Sequence, residues 1–409
     1  MKNREIPRAW AVRMMGTLLL AALPAFSAAP APDRAAMVDG NTRLACDLYE
    51  KLRLGNEGRN LFFSPFSIST ALAMTYSGAA GETESQMAAA LHFTLPEQQL
   101  HPAFSALLDD LRSSEEYELA IANRLWGQKG YPFRKEFLAG IEARYRGGFE
   151  EVDYRNDADG ARGIINRWVE AETRGKIRDL LQKPDIRPLT RLALTNAIYF
   201  KGKWGARFDP RNTVSGQFAL QDGTAVPVPL MTQKGTFPYL RGKDFEMLEL
   251  PYAGGRLSML VLLPNPGVTL GRVEAQLSPE RLRSWRSGME ETDVRLFLPR
   301  FRTAARFELN APLHSLGMKD AFDEDRADFS GIMGKKDLYI SKVIHKAFVD
   351  VNEEGTEAAA ATAVVLSTKS IGMEVRFRAD RPFVFAIVDR ESESVLFLGR
   401  LMNPEEPES

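Results

Sequence analysis

Residues 350–370 constrain this chain more than any other stretch. They read D-V-N-E-E-G-T-E-A-A-A-A-T-A-V-V-L-S-T-K-S. Two acids, Glu353 and Glu354, precede Gly355, and from Thr356 to Ala363 the only large side chain is Glu357. At the two-residue period of a strand, Thr356, Ala358, Ala360, Thr362, Val364 and Leu366 share one face. The other face carries Glu357, Ala359, Ala361, Ala363, Val365 and Ser367. The only charge within 356–366 is therefore confined to one side, and the opposite side is small and then apolar. Such a segment fits between two existing strands, where bulk would clash with the layer beneath. Ala and Glu nevertheless favour helix, and Ala is depleted in strands. The residues leave three states open: a surface helix, a flexible linker, or a moving part that becomes a buried strand.

A buried strand needs a large body to enter, and the chain supplies one. Of 409 residues, 44% are hydrophobic and 26% charged, an ordinary globular composition with ample material for a core. The formal net charge of -1 implies no strongly basic face and argues against nucleic acid as a partner. Cys46 is the single cysteine, so no intramolecular disulfide can form, and its apolar surroundings suggest a small buried residue.

Residues 1–27 read as a secretion signal. Lys2, Arg4, Arg8 and Arg13 form a basic leader, and residues 14–23 are mostly apolar but too short to span a bilayer. Ala25-Phe26-Ser27 offers small residues for cleavage; Ser27-Ala28-Ala29 does too, but would leave Pro30 directly after the cut. An uncleaved anchor is the alternative. With the four basic residues and Glu5 removed, the remainder lies near -4. Export without disulfides points to a bacterial periplasm, cell envelope or secreted fraction, with no membrane attachment once the signal is gone. Residues 28–40 are rich in Ala, Pro and Asp and read as a flexible leader.

From residue 42 the pattern alternates between elements without a linker, which predicts one mixed α+β domain over 41–404. Helical periodicity marks 42–54, 67–76, 82–91, 102–111, 133–145, 159–173 and 270–285. Apolar strand patterns mark 61–63, 119–126, 190–200, several runs within 216–263, and then 294–302, 338–351, 375–377, 383–389 and 395–401. Ser64 followed by Pro65 is a helix start, with the serine as cap and the proline in the first turn.

Motifs for catalysis are missing. The four histidines, His92, His101, His314 and His345, form no H-E-x-x-H pair, and no G-x-S-x-G elbow, phosphate loop or cysteine metal spacing occurs. The residues predict no metal and no cofactor. Ser64, Ser67 and His345 are the only nucleophile-and-base set worth weighing. Against it stands a simpler reading, a buried hydrogen-bonded cluster that pins a helix to a sheet.

Five segments resemble those of the serpins, the serine-protease-inhibitor family, in the family's own order. N-L-F-F-S-P-F-S-I-S-T-A-L-A-M at 60–74 is similar to its strand-to-helix segment. T-N-A-I-Y-F-K-G-K-W at 195–204 resembles a central-sheet strand and its following tryptophan. H-K-A-F-V-D-V-N-E-E-G-T-E-A-A-A-A-T at 345–362 resembles the last main-sheet strand and the hinge. D-R-P-F-V-F-A-I at 380–387 and L-F-L-G-R-L-M-N-P at 396–404 resemble the C-terminal strands. Each is moderately specific; together and collinear, they identify the chain as a member of this family.

The resemblance implies a serpin fold of three β-sheets, eight or nine helices and an exposed reactive-centre loop, at about 353–376 with its hinge. It implies no enzyme activity, but an inhibitory, suicide-substrate role. Residues 356–366 would be exposed loop in the active form; once a serine protease cut the loop, they would insert into the main sheet and the acyl-enzyme would be trapped. The hinge comprises Glu353, Gly355, Thr356, Glu357, Ala358, Ala359, Ala360, Ala361 and Thr362. A polar shutter under the sheet is matched by Ser64, Ser67, Asn196 and His345. The breach, where insertion starts, is matched by Trp204, Arg300 and Glu353. Counting sixteen positions from Glu353 places the reactive bond at Lys369-Ser370. Lysine there suits the acidic pocket of trypsin-like proteases; a register one residue later would put Ser370 before the cut and favour another protease. The partner implied is a trypsin-like serine protease in a covalent complex with a monomer. Heparin-type activation is argued against, because Asp109, Asp110, Glu115 and Glu116 stand where a basic cluster would be needed. A non-inhibitory serpin acting as chaperone, carrier or store is the alternative.

Overall fold

The computed structural model describes residues 31–112, 114–145, 148–356 and 374–405. The signal expected at 1–27, the reactive bond Lys369-Ser370 and the hinge residues Glu357 to Thr362 lie outside these. Ten α-helices occur among the described residues: α1 Ala31–Leu54, α2 Pro65–Tyr76, α3 Gly81–Ala90, α4 Glu97–Arg112, α5 Lys135–Tyr145, α6 Ala158–Glu172, α7 Leu270–Glu274, α8 Pro279–Ser287, α9 Asn310–Ser315 and α10 Ser330–Met333. The strands are β1 Leu61–Phe63, β2 Tyr117–Gln128, β3 Phe149–Val152, β4 Leu192–Lys203, β5 Val214–Ala219, β6 Ala225–Arg241, β7 Phe245–Pro251, β8 Leu257–Pro264, β9 Glu290–Pro299, β10 Phe301–Glu308, β11 Lys342–Val351, β12 Gly355–Thr356, β13 Val375–Arg378, β14 Phe383–Asp389 and β15 Val395–Leu401.

The main sheet runs β10-β11-β12-β4-β2-β3. The other two layers share one strand. β6 is 17 residues long; it pairs with β5 over its first part, with β7 at its end and with β9 along most of its length. The remaining strands follow in the order β1-β15-β14-β8-β7-β6-β9-β13. The three expected sheets are thus the main sheet and two layers that β6 joins. The helix count exceeds eight or nine because α7, α9 and α10 are each under two turns.

β4 shows how the sequence builds the centre. Its first nine residues, L-A-L-T-N-A-I-Y-F, are all buried, because the sheet is covered on both faces. Leu194, Ile198 and Phe200 join the large core with α2, whereas Ala193, Ala197 and Tyr199 pack with Ala161, Ile165 and Val169 of α6. Strand alternation decides which layer each touches. Thr195 follows the α6 side and accepts from Trp126 Nε1 at 2.8 Å. Asn196 follows the other side and faces α2.

The leader expected at 28–40 is corrected from residue 31 onward. α1 begins at Ala31, and Met37 and Val38 are buried in the core. Gly40 is needed within it: a Cβ there would stand 2.3 Å from the His92 carbonyl oxygen, so α1 can pack this closely only without one. Composition rich in Ala and Asp concealed a first turn whose apolar residues are few. Two expected elements are also divided. The helix expected over 270–285 is two helices, because Ser278 caps a new start and Pro279 opens it. The strand expected over 294–302 breaks at Arg300, where the chain passes from β9 in one sheet to β10 in the main sheet.

Candidate functional site

β11 and β4 run parallel and are directly paired from Lys342↔Ala193 to Phe348↔Tyr199. Above that level they diverge, and β12 occupies the gap. Val351 pairs with Thr356 on one side; Lys203 and Gly202 pair with Gly355 and Thr356 on the other. A hairpin turns the chain between β11 and β12, closed by Asn352 N–H to Gly355 O at 2.9 Å and Gly355 N–H to Asn352 O at 3.3 Å. Only glycine fits at 355, since a Cβ would stand 2.0 Å from Gly202 O and 2.6 Å from Lys203 Cα.

Thr356 is fully buried, and its hydroxyl meets the Tyr252 hydroxyl at 2.8 Å. This corrects the expectation that the exposed loop begins at Thr356. The gap is already open at this level, so the first hinge side chain gains pairing and a polar partner by entering it. Its inward direction agrees with the face assigned from the alternation.

The three breach residues come together around this hairpin. Trp204 lies on Tyr252 with ring centres 4.8 Å apart and planes 9° from parallel. Its Nε1 donates to Asn352 O at 2.9 Å, and its backbone N–H donates to Glu354 O at 2.9 Å. The Glu353 carboxylate accepts from Arg300 Nε at 2.7 Å and from the Thr213 hydroxyl. Glu353 is only 5% exposed. Burial alone would raise its pKa, but the hydrogen bonds from Arg300 and Thr213 outweigh that and hold it below the usual value.

The four shutter residues also meet, beneath the paired part of β11 and β4. Strand register puts His345 beside Asn196, and Asn196 opposite Asn123 of β2. A polar row thus crosses three adjacent strands and faces the start of α2. Ser64 caps that helix, accepting from Ser67 N–H at 3.1 Å, with Pro65 next in the chain as predicted. Asn196 Nδ2 donates to Ser67 O at 2.8 Å and to Ser67 Oγ at 2.7 Å. Ser67 Oγ donates to Asn123 Oδ1 at 3.1 Å, and Asn123 Nδ2 donates to Ser67 O at 3.1 Å.

His345 fixes its own tautomer. Its Nε2 accepts from the Ser64 backbone N–H at 3.1 Å, so the ring proton sits on Nδ1 and is donated to Asn196 Oδ1. Complete burial pushes its pKa down to about 3. The Ser64 hydroxyl donates elsewhere, to Leu396 O at 2.6 Å. The serine and the imidazole therefore do not form a nucleophile-base pair, and the simpler reading of a helix pinned to a sheet describes the geometry.

Sequence reasoning missed Asn123, Tyr252 and Thr213. An amide inside the apolar run of β2 was a signal for Asn123. Tyr252 and Thr213 carried none, because they reach the hinge only through the folded sheets.

A hinge strand seated at the mouth of a closed strand pair, above a polar cluster that crosses three strands, defines the class of fold. Comparison gives the class its name. A sequence model described as Serpin (serine protease inhibitor) matches residues 39–404, and the chain belongs to the serpin family. Leukocyte elastase inhibitor of Bos taurus is 44% identical over 373 residues, covering 89% of this chain and 98% of that protein. An uncharacterised serpin-like protein of Thermococcus kodakarensis is 44% identical over 365 residues, covering 88% and 84%. Uncleaved ovalbumin superposes with a TM-score of 0.84 at 33% identity, covering 90% of this chain and 100% of that one. Human thyroxine-binding globulin complexed with thyroxine gives 0.85 at 32% identity, covering 91% and 100%.

Proposed function

We propose that this protein is a suicide-substrate inhibitor of a trypsin-like serine protease, and that it has no catalytic chemistry of its own. One observation carries the reading. β11 and β4 are shut from Lys342 to Phe348, yet Thr356 already stands between them at their upper end, and the residues that follow it in sequence are small.

The protease serine attacks the Lys369 carbonyl, and the amine of Ser370 leaves as a new N-terminus. An ester then joins the protease to the freed end of the loop. With the tether to β13 cut, residues 357–366 follow Thr356 down the gap. The shutter must open as they pass. Pairing of about ten residues, at roughly 0.5–1.5 kcal/mol net each, releases about 5–15 kcal/mol. That is comparable with the stability of a whole domain, so the uncleaved fold is a kinetic trap. The protease is carried along, distorted, and loses the geometry that would admit water to the ester.

The relatives named for elastase inhibition support a protease as partner; the trypsin-like choice rests on Lys369 alone. Mixing the protein with trypsin tests both. A band that survives boiling in detergent is expected, with a released C-terminal fragment beginning at Ser370, and Lys369→Ala should abolish it. Cleaved protein beside fully active trypsin contradicts inhibition. A fragment starting elsewhere contradicts the lysine register.

Export by residues 1–27 belongs to the same proposal, with cleavage after Ser27. The relatives reported above are mammalian and archaeal, and they lend no support to the bacterial source expected from the missing disulfides. The carrier alternative has one observation in its favour. A cavity of about 300 Å³ lies between α1, α8 and the sheet, lined by Val38, Leu260, Leu282, Val388 and Arg286. The buried Arg286 Nε has no hydrogen-bond partner among the described residues. A carrier would bind its ligand without being consumed by protease.

A further inference from the structure

Cations gather on the outer face of the strands that receive the far end of the reactive loop. Strand register sets Lys234 of β6 opposite Arg295 of β9, and Arg295 beside Arg376 of β13. Like charges in directly paired positions weaken a sheet. Stability therefore does not account for this row. Glu374 relieves part of it, meeting Lys234 at 2.8 Å and Arg295 at 3.1 Å. Arg376 has no carboxylate partner among the described residues. Its guanidinium lies 4.9 Å from the centre of the Phe297 ring, which it shares with Arg378 at 5.0 Å. Arg378 and Arg381 both pair with Asp380. Five cations thus stand with three carboxylates, Glu374, Asp380 and Asp293, on a chain whose net charge is -1. Asp293, further along the same face, accepts from the Thr236 hydroxyl at 2.8 Å.

The loop brings a protease to this place. Lys369 precedes Glu374 by five residues, a reach of at most about 17 Å when fully extended. A protease of roughly 220 residues has a radius of gyration of about 17 Å. Its body, seated on the loop, overhangs β13, β9 and β6.

We propose that Lys234, Arg295 and Arg376 form a docking surface for an acidic patch on the attacking protease. This rests on the inhibitory reading above and adds a choice of partner to it: among proteases that cut after lysine, this protein engages anionic ones fastest. Complementary surface charge acts mainly on the association rate and is screened by salt.

The test compares anionic and cationic trypsin, with the wild-type protein and with Arg376→Glu and Lys234→Ala. Association rates are measured from low to high ionic strength. Binding of a catalytically dead anionic trypsin, its active-site serine replaced by alanine, is measured alongside. The wild type should capture anionic trypsin faster, with a falling rate as salt rises. Arg376→Glu should slow that capture about fivefold or more at low salt, with no change in the number of inhibitor molecules consumed per protease. Equal rates for both trypsins, or variants indistinguishable from wild type, overturn the proposal. So does Arg376-dependent binding to a sulfated polysaccharide without any dependence on protease charge. Should neither trypsin be trapped, salt- and Arg376-dependent binding of the dead enzyme still upholds the docking surface, while the inhibitory reading fails. Trapping without such binding has the opposite meaning.

Discussion

Thr356→Arg should turn the inhibitor into a substrate. In the resting fold Thr356 is fully buried between β11 and β4, against Tyr252. Arginine at this position has two choices. Held inside, its charge is buried without a partner, which costs about 3–5 kcal/mol. Swung out, β12 gives up its pairing with Val351, Lys203 and Gly202. Three such interactions are worth about 1.5–4.5 kcal/mol net. The second choice costs no more than the first, so the hinge should leave the sheet. Insertion after cleavage must then begin by burying that arginine. If about 3 kcal/mol of the penalty is felt at the barrier, insertion slows more than about 100-fold, and water reaches the acyl-enzyme first. The assay counts inhibitor molecules consumed per trypsin inactivated. Glu357→Arg is the control, because alternation from the inward Thr356 places residue 357 on the outer face. The Thr356 variant should be consumed many-fold in excess, and the Glu357 variant should stay near the wild type. Equal behaviour of the two would refute the register and with it the order of insertion.

Two further outcomes follow from the shutter. His345 has a folded pKa of about 3 because of burial, well below its ordinary value. The unfolded chain therefore binds a proton that the folded one refuses, and stability falls as pH drops from about 6.5 towards 3, at about 1.4 kcal/mol per unit. Near pH 5 the loss is about 2 kcal/mol, and melting temperatures of wild type and His345→Asn against pH should show the variant flatter between pH 7 and 5. The depressed Glu353 carboxyl acts in the same direction, but only as pH falls below its unfolded value of about 4.5, so the two windows overlap only below that pH. Asn123→Ala leaves Ser67 Oγ without its acceptor and should destabilise the closed sheet by about 1–3 kcal/mol. Its inhibitory activity should decay faster than that of the wild type on mild heating, and an unchanged half-life would remove Asn123 from the lock.

What could be read in the sequence depended on whether a residue's task was local. The cap at Ser64 and the apolar run of β4 are local patterns, and each led to the right element. The shutter and breach residues were named through family resemblance, and the folded sheets bring each set together. Residues 31–40 misled because a helical turn packed on one glycine looks like a leader in composition. Thr356 misled differently: whether it lies in or out depends on where β11 and β4 diverge, a property of three segments far apart in the chain. The cationic row is of the same kind. Lys234, Arg295 and Arg376 are scattered in a nearly neutral sequence, and only strand register aligns them.

The central claim is that β11 and β4 part to admit the loop. A crystal structure of the protein after cleavage in the loop tests it most directly. Residues 356–366 should form a full strand between β11 and β4, with Thr356, Ala358 and Ala360 facing inward and the pairing of Lys342–Phe348 with Ala193–Tyr199 gone. A cleaved protein in which that pairing persists, with Thr356 the last residue between the two strands, would contradict the account.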